Sequence, residues 1–155
     1  MKPDDIKVAV GHFLELVVNG RGTEEENIAA LEVALDMLAW IQNLVEVSED
    51  EGHPDAPQHE FDKMRMLIEK QFPTFGKYRV PARFTDQNGK AEGSQADAVN
   101  DLAEIACRLY EIAWRFQNTS EADALSVFAE SYENAWRTHL RALQWYLEGR
   151  RENGL

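Results

Sequence analysis

The stretch 94–149, SQADAVNDLAEIACRLYEIAWRFQNTSEADALSVFAESYENAWRTHLRALQWYLEG, decides the fold. In its first half, apolar residues recur every three or four positions, a spacing that gives a helix one apolar face. They are Val99, Leu102, Ile105 or Ala106, Leu109, Ile112 and Phe116. Ser94 and Asp97 form a capping box in front of them. This half predicts a long amphipathic helix.

The second half of the same stretch repeats the pattern after a short break. Asn118, Thr119 and Ser120 interrupt the first helix, and Ser120 with Asp123 starts the next one. Its apolar positions are Leu125, Phe128, Tyr132, Trp136, His139 or Leu140, Leu143 and Leu147. A turn of so few residues forces the two helices to lie side by side. The stretch therefore predicts a C-terminal antiparallel helical hairpin.

Three further helices are predicted toward the N-terminus. The first has its apolar face between Ile6 and Val17, and the second begins at the capping residue Thr23. The second helix becomes apolar on several sides before Val45, so we expect its far end to be buried. The third is short and ends at Pro73, because a residue that precedes proline is pushed out of the helical region.

The composition fits one soluble helical domain. A chain of 155 residues, 44% of them hydrophobic, is long enough to bury its own core. We predict a single all-α domain over residues 1–155, folded as a five-helix bundle. The formal charge of −12 argues against nucleic-acid and anionic-membrane partners. The chain shows neither a signal-peptide pattern nor a membrane-spanning apolar run, so we expect a cytoplasmic protein.

The helical pattern fails over residues 73–94. Two prolines and three glycines accompany an alternation of apolar and other residues from Tyr78 to Phe84. This composition predicts an irregular, extended excursion with at most one short strand. Pro81 argues against a central strand, because proline has no amide hydrogen to donate.

Within this region, residues 70–84 form a basic aromatic segment. Four cations and four aromatic rings occur there without an intervening acid: Lys70, Lys77, Arg79 and Arg83 with Phe72, Phe75, Tyr78 and Phe84. One interpretation is a pocket for a small anion or an acidic tail. Its candidate ligand-binding residues are Lys77, Tyr78, Arg79, Arg83 and His139. The other interpretation, which we favour, is a lid whose rings plug the bundle. In both, we expect the segment to form the rim of the protein's best pocket.

Two short motifs of the hairpin point to a family. The first is DLAEI at 101–105, and the second is WRTH at 136–139, followed by AL at 142–143. In residue type and order they resemble the bacterial DUF5063 family, over about residues 75–147. Ala135 and Arg137 depart from it, since the family often has histidine and glycine there. The resemblance implies a helical bacterial domain with no assigned activity.

Two acidic regions are weighed as metal sites and not favoured. His53, Asp55 and His59 offer ligands that suit zinc or manganese, but their spacing matches no established motif. Asp97 and Asp101 share a helical face with Glu104, as carboxylates that bind magnesium do. We favour a solvated connection for the first region. For the second we favour a wet helix surface with the ion pairs Glu104–Arg108 and Glu111–Arg115. We therefore predict no metal and no cofactor.

The leading functional hypothesis is a non-catalytic protein-interaction or regulatory module. No catalytic constellation is visible, while the second and last helices carry more apolar residues than one face needs, such as Trp40, Trp145 and Tyr146. Trp145 and Tyr146 lead us to predict a homodimer through the last helix. The alternative is a small-ligand-binding protein or metal-dependent enzyme that uses residues 70–84 and the acidic helix faces.

Overall fold

The computed structural model describes residues 2–48, 52–81 and 94–154. Its helices are α1 (Pro3–Asn19), α2 (Glu24–Ile41), α3 (Phe61–Gln71), α4 (Ala98–Asn118), α5 (Glu121–Ser131) and α6 (Arg137–Glu152). A π-helical turn, Tyr132–Trp136, joins α5 to α6, so these two form the predicted fifth helical segment. A 3-10 turn, Gln42–Leu44, follows α2. The predicted all-α bundle is confirmed.

Helix α4 is the centre of the bundle. It packs against α1, α3, α5 and α6. Its predicted apolar face is buried from Val99 through Leu109 to Ile112. The short turn before α5 is capped by Ser120, whose hydroxyl oxygen accepts a hydrogen bond from the Asp123 amide at 3.0 Å. The C-terminal half of the fold therefore follows the predicted hairpin.

A second helical hairpin, α1 with α2, packs beside α4. Its turn contains Gly20, which has a φ of +69° and whose α-carbon lies against the side chain of Gln71. The buried Asn27 side chain accepts from the Arg21 amide at 2.6 Å and donates to the Gln71 carbonyl at 3.1 Å. These bonds fix the turn to the end of α3.

The far end of α2 differs from its prediction. The helix ends at Ile41, and the chain leaves it through the 3-10 turn rather than continuing to Val45. Ile41 is buried, but Trp40 and Leu44 are exposed. The expectation of a buried far end is therefore wrong: α2 packs on α1 and α6, and its end leaves Trp40 and Leu44 exposed to solvent.

Two strands form where at most one was expected. β1 (Lys77–Val80) and β2 (Ser94–Asp97) pair antiparallel, with Lys77 opposite Asp97. Ser94 is therefore not a helix cap. Asp97 alone caps α4, because its side-chain oxygen accepts a hydrogen bond from the Val99 amide at 2.9 Å. Pro81 directly follows β1, so it does not interrupt the pairing. Arg83 and Phe84 lie outside the described residues.

Candidate functional site

The described part of the basic aromatic segment covers α6. Phe72 and Phe75 are buried, and the Phe75 ring meets the Tyr146 ring edge-on with 5.4 Å between centroids. Tyr78 packs on the same ring at 4.6 Å. As the lid interpretation predicts, these rings turn inward.

Polar contacts fix the same segment to two helices. The Arg150 guanidinium of α6 donates to the Thr74 hydroxyl at 2.9 Å and to the Tyr146 hydroxyl at 3.1 Å. The Thr74 amide and hydroxyl donate to the Glu24 carboxylate of α2 at 2.7 and 2.8 Å. The start of β1 is thus tied to both α2 and α6.

A hydrogen-bonded triad joins β1 to α4 and α6. Tyr78 donates its hydroxyl to Asp101 Oδ2 at 2.5 Å, and His139 Nδ1 lies 2.7 Å from Asp101 Oδ1. The Asp101 side chain is 8% exposed and that of His139 is 32% exposed. Two of the five candidate residues, Tyr78 and His139, therefore meet through a carboxylate that was not among them.

The position of Asp101 corrects the sequence interpretation of its helix face. A wet surface was favoured for this face, but Asp101 is buried because β1 and α6 cover it. Burial, and then the negative charge of Asp101, raise the pKa of Tyr78 far above its ordinary value. The Tyr78 hydroxyl therefore stays protonated and serves as a donor.

Asp101 also orients the imidazole of His139. When the Nδ1–H group of a neutral ring donates a hydrogen bond to the carboxylate, Nε2 keeps its lone pair. A histidine held in this way can accept a hydrogen bond or a proton at Nε2, or bind a cation there. His139 is thus chemically equipped for more than core packing.

The remaining candidates of the segment lie elsewhere. Lys77 and Arg79 flank Tyr78 on β1, so their side chains project from the opposite face of the strand, which is exposed. The Arg79 carbonyl accepts from Trp145 Nε1 at 3.4 Å. The described residues do not bring Lys77 or Arg79 together with His139, and Arg83 lies outside them.

The connection 52–60 is held at the α4–α5 corner. Arg115 and Asp123 form a buried ion pair at 2.8 Å, and Arg115 also reaches the Pro54 carbonyl at 3.4 Å. Burial alone would raise the pKa of Asp123, but hydrogen bonds from Arg115 and Thr119 outweigh it and lower that pKa. This corner is stabilised by paired charges.

The histidines of the same connection have different neighbours. His59 stacks on Tyr110 with 4.4 Å between ring centroids, whereas His53 Nε2 lies 3.5 Å from the Ser120 hydroxyl. Within the described ranges, no three or more His, Cys, Asp or Glu side chains could together hold a metal ion. The acids 49–51 fall outside those ranges.

A groove of about 580 Å³ runs between α1 and α2 on the outer side of their hairpin. Its lining residues are Asp5, Val8, Ala9, His12, Leu16, Arg21, Ala30, Val33, Ala34, Met37, Trp40 and Ile41. Four of the large apolar ones are open to solvent: Val8 is 54%, Val33 65%, Met37 42% and Trp40 56% exposed. The expected rim is not found here: no described residue of the basic aromatic segment lines this groove. The surplus of apolar residues on α2 was the sequence signal for it.

The described helices give no membrane-crossing segment: within residues 2–48, 52–81 and 94–154, none is both long and apolar enough.

Comparison with known proteins identifies a shared fold. No family model matches the chain, and no curated protein matches it. The crystal structure of protein BF1032 from Bacteroides fragilis, a structural genomics target, superposes with a TM-score of 0.70. The two sequences are 13% identical, and the match covers 96% of this chain and 95% of the other. At this identity the similarity shows the fold alone.

Proposed function

We propose that the chain is a non-catalytic, cytoplasmic protein-interaction module that binds a helical segment of a partner protein in the α1–α2 groove. The exposure of Val8, Val33, Met37 and Trp40 along this one groove carries the proposal. Contiguous exposed apolar surface is uncommon on soluble monomers and marks sites of association.

The shape of the groove favours a helix as its occupant. Two neighbouring helices present parallel ridges of side chains, and the furrow between them accepts the ridge of a third helix. Helix α1 has 17 residues, which corresponds to a length of about 25 Å. A partner helix of about five turns would therefore span the groove.

Two residues of the groove suit a binding surface. Trp40 offers a large ring at the open end of the hairpin, and tryptophan is enriched among residues that dominate binding energy. Met37 lies one turn before it on α2 and has a flexible side chain that adapts to different partners. We expect both to contact the bound helix.

A peptide titration tests the proposal. The probe is a fluorescent helical peptide of about 18 residues with leucines at i, i+4, i+7 and i+11 and glutamines elsewhere. We expect saturable binding by fluorescence anisotropy, with Val33→Asp weakening it at least about tenfold. Met66→Asp is the matched control, because Met66 is an exposed apolar residue of α3 outside the groove. Absence of binding, or equal losses in the two variants, would contradict the proposal.

Membership of the DUF5063 family is also a proposal. It rests on the residue types and order of the two sequence motifs, and the contact between Asp101 and His139 joins one residue of each motif. The two motifs therefore meet in space.

The homodimer through α6 remains a prediction. One of its two reasons is weaker than expected, because Tyr146 is covered within the chain by Phe75 and Tyr78. Trp145 is still 40% exposed. Light scattering at high micromolar concentration tests this prediction, and a monomer would contradict it.

A second candidate function is binding of a small ligand at His139. The observation in its favour is the Asp101 carboxylate, which leaves Nε2 as the free ring nitrogen in the triad. Thermal shifts with phosphates, nucleotides and divalent metals test it, because a ligand of the folded state raises its stability. We expect a shift that His139→Gln abolishes. A shift that survives in this variant, or no shift with any compound, would contradict it.

A further inference from the structure

From the charges around the α1–α2 groove, we infer that its partner is a cationic amphipathic helix, with basic residues flanking the apolar face. The inference rests on the proposed function, because it names the chemistry of the segment that the groove binds. Helices α1 and α2 carry eight acidic residues and one lysine.

Acidic side chains lie beside the apolar lining of α1. Asp5 lines the groove itself. Asp4 and Glu15 are four residues before and seven after Val8, so they share its side of the helix, and both are exposed. Lys7 directly precedes Val8 and therefore projects about 100° away from it. The α1 edge of the groove is thus predominantly negative.

The α2 edge carries further negative charge. Glu26 lies seven residues before Val33, on the same side of the helix, and is exposed. Asp36 does not contribute to this edge, because it lies in the cleft between α2 and α6, where its carboxylate accepts a hydrogen bond from Gln144 at 2.8 Å. The lining also contains the cation Arg21 and the imidazole of His12.

This charge distribution distinguishes a cationic partner from a second copy of the chain. A symmetric dimer through the groove would place the acidic edges of two copies against each other, and each copy has a formal charge of −12. Like charges that face each other across an interface suppress association. Lysines or arginines beside the apolar face of a partner would instead pair with Asp4, Asp5 and Glu15 at the rim.

Three peptides with one apolar face and different polar faces test the inference. The leucine positions stay the same, while the remaining positions carry lysine, glutamine or glutamate. At about 0.05 M salt we expect the lysine peptide to bind about tenfold more tightly than the glutamine peptide, and the glutamate peptide to bind most weakly. At about 0.5 M salt the differences should shrink, because mobile ions screen exposed charges.

A charge-neutralised variant tests whether the acids beside the groove cause the preference for the lysine peptide. The triple variant Asp4→Asn, Asp5→Asn, Glu15→Gln should bind the lysine and glutamine peptides with about equal affinity, because the acids that distinguish them are gone. The matched control removes the same charge elsewhere, at the exposed residues Asp62, Glu130 and Glu152, and should retain the preference. Circular dichroism checks that both variants stay helical.

The outcomes separate the inference from the proposed function. If the glutamine and lysine peptides bind equally, or if both triple variants lose the preference to the same extent, the cationic partner is wrong while the helix-binding groove stands. If no peptide binds, both fall. If sedimentation shows a dimer that Val33→Asp converts to a monomer, a second copy occupies the groove and the inference is overturned.

Discussion

His139 on α6 and Asp101 on α4 are joined at 2.7 Å between Nδ1 and Oδ1. The second oxygen of the same carboxylate accepts from Tyr78 on β1 at 2.5 Å. Asp101 therefore links two helices of the bundle to β1, the strand within the basic aromatic segment. A carboxylate can be this deeply buried because donors satisfy both of its oxygens.

Removal of this carboxylate should destabilise the protein. Asp101→Ala leaves the Tyr78 hydroxyl and the His139 ring without their shared acceptor, and an unsatisfied buried donor costs about 1 to 3 kcal/mol. We expect a loss of that size in the free energy of unfolding, measured by urea denaturation. Asp62→Ala, at an exposed acid of α3, is the control. A loss below about 0.5 kcal/mol for Asp101→Ala would show that the triad contributes little.

The helices were predictable because their apolar positions repeat locally. The stripe from Val99 to Ile112 is buried as its spacing predicts, and the α4–α5 turn lies at the residues that break the pattern. The periodicity of apolar residues could not show whether His139 or Leu140 occupies the buried position of the helix. The structure buries Leu140 completely and leaves His139 half-buried beside Asp101. Which of the two is buried depends on how α6 packs against α4, and the sequence pattern of a single helix holds no information about that packing.

The candidate site was predictable only in part, for the same reason. Tyr78 and His139 were selected by residue type, but Asp101 was assigned to a wet face because its partners lie far along the chain. The pairing of β1 with β2 was missed because Ser94 and Asp97 also resemble a helix cap. The apolar surplus of α2 was visible in the sequence. Its meeting with Val8 of α1 in one groove depends on how the two helices pack.

Two glycines of the first hairpin should respond to alanine in opposite directions. Gly20 has a φ of +69° and a ψ of −176°, a region that is open almost solely to glycine, and an added β-carbon would collide with Gln71. Gly20→Ala should cost about 1 to 3 kcal/mol. Gly11 lies inside α1 with no atom near its missing β-carbon, so Gly11→Ala should stabilise the protein by about 0.5 to 1 kcal/mol. Thermal denaturation of both variants is the measurement, and equal signs would refute the assignment of the turn.

The lid and anion-pocket interpretations of the basic aromatic segment make different predictions. Phe75 is buried between Phe72 and Tyr146, so Phe75→Ala should cost about 3 to 5 kcal/mol of unfolding free energy. Arg79→Ala should change it by less than about 0.5 kcal/mol, because the side chain is exposed. The lid interpretation also predicts no thermal shift with phosphate. A phosphate shift that Arg79→Ala and Arg83→Ala abolish would instead support the anion pocket.

The ion pair at the α4–α5 corner should make stability depend on pH. The pKa of Asp123 is lowered in the folded state from its ordinary value of 3.8, so the unfolded chain binds this proton more readily. The stabilisation is therefore present above about pH 4 and is lost as the pH falls through the lower, folded-state pKa. At pH 7, Asp123→Asn should cost about 1 to 3 kcal/mol, because the buried Arg115 guanidinium loses the nearer of its two described carboxylate partners and keeps Glu111, at 3.8 Å. Urea denaturation from about pH 6 to about pH 3 should show that the difference in unfolding free energy between wild type and this variant shrinks toward acid pH.

The control is Glu130→Gln, at an exposed acid of α5, which should show a small difference in unfolding free energy that changes little over the same range. A difference for Asp123→Asn that stays constant, or grows as the pH falls, would contradict a paired Asp123 carboxylate.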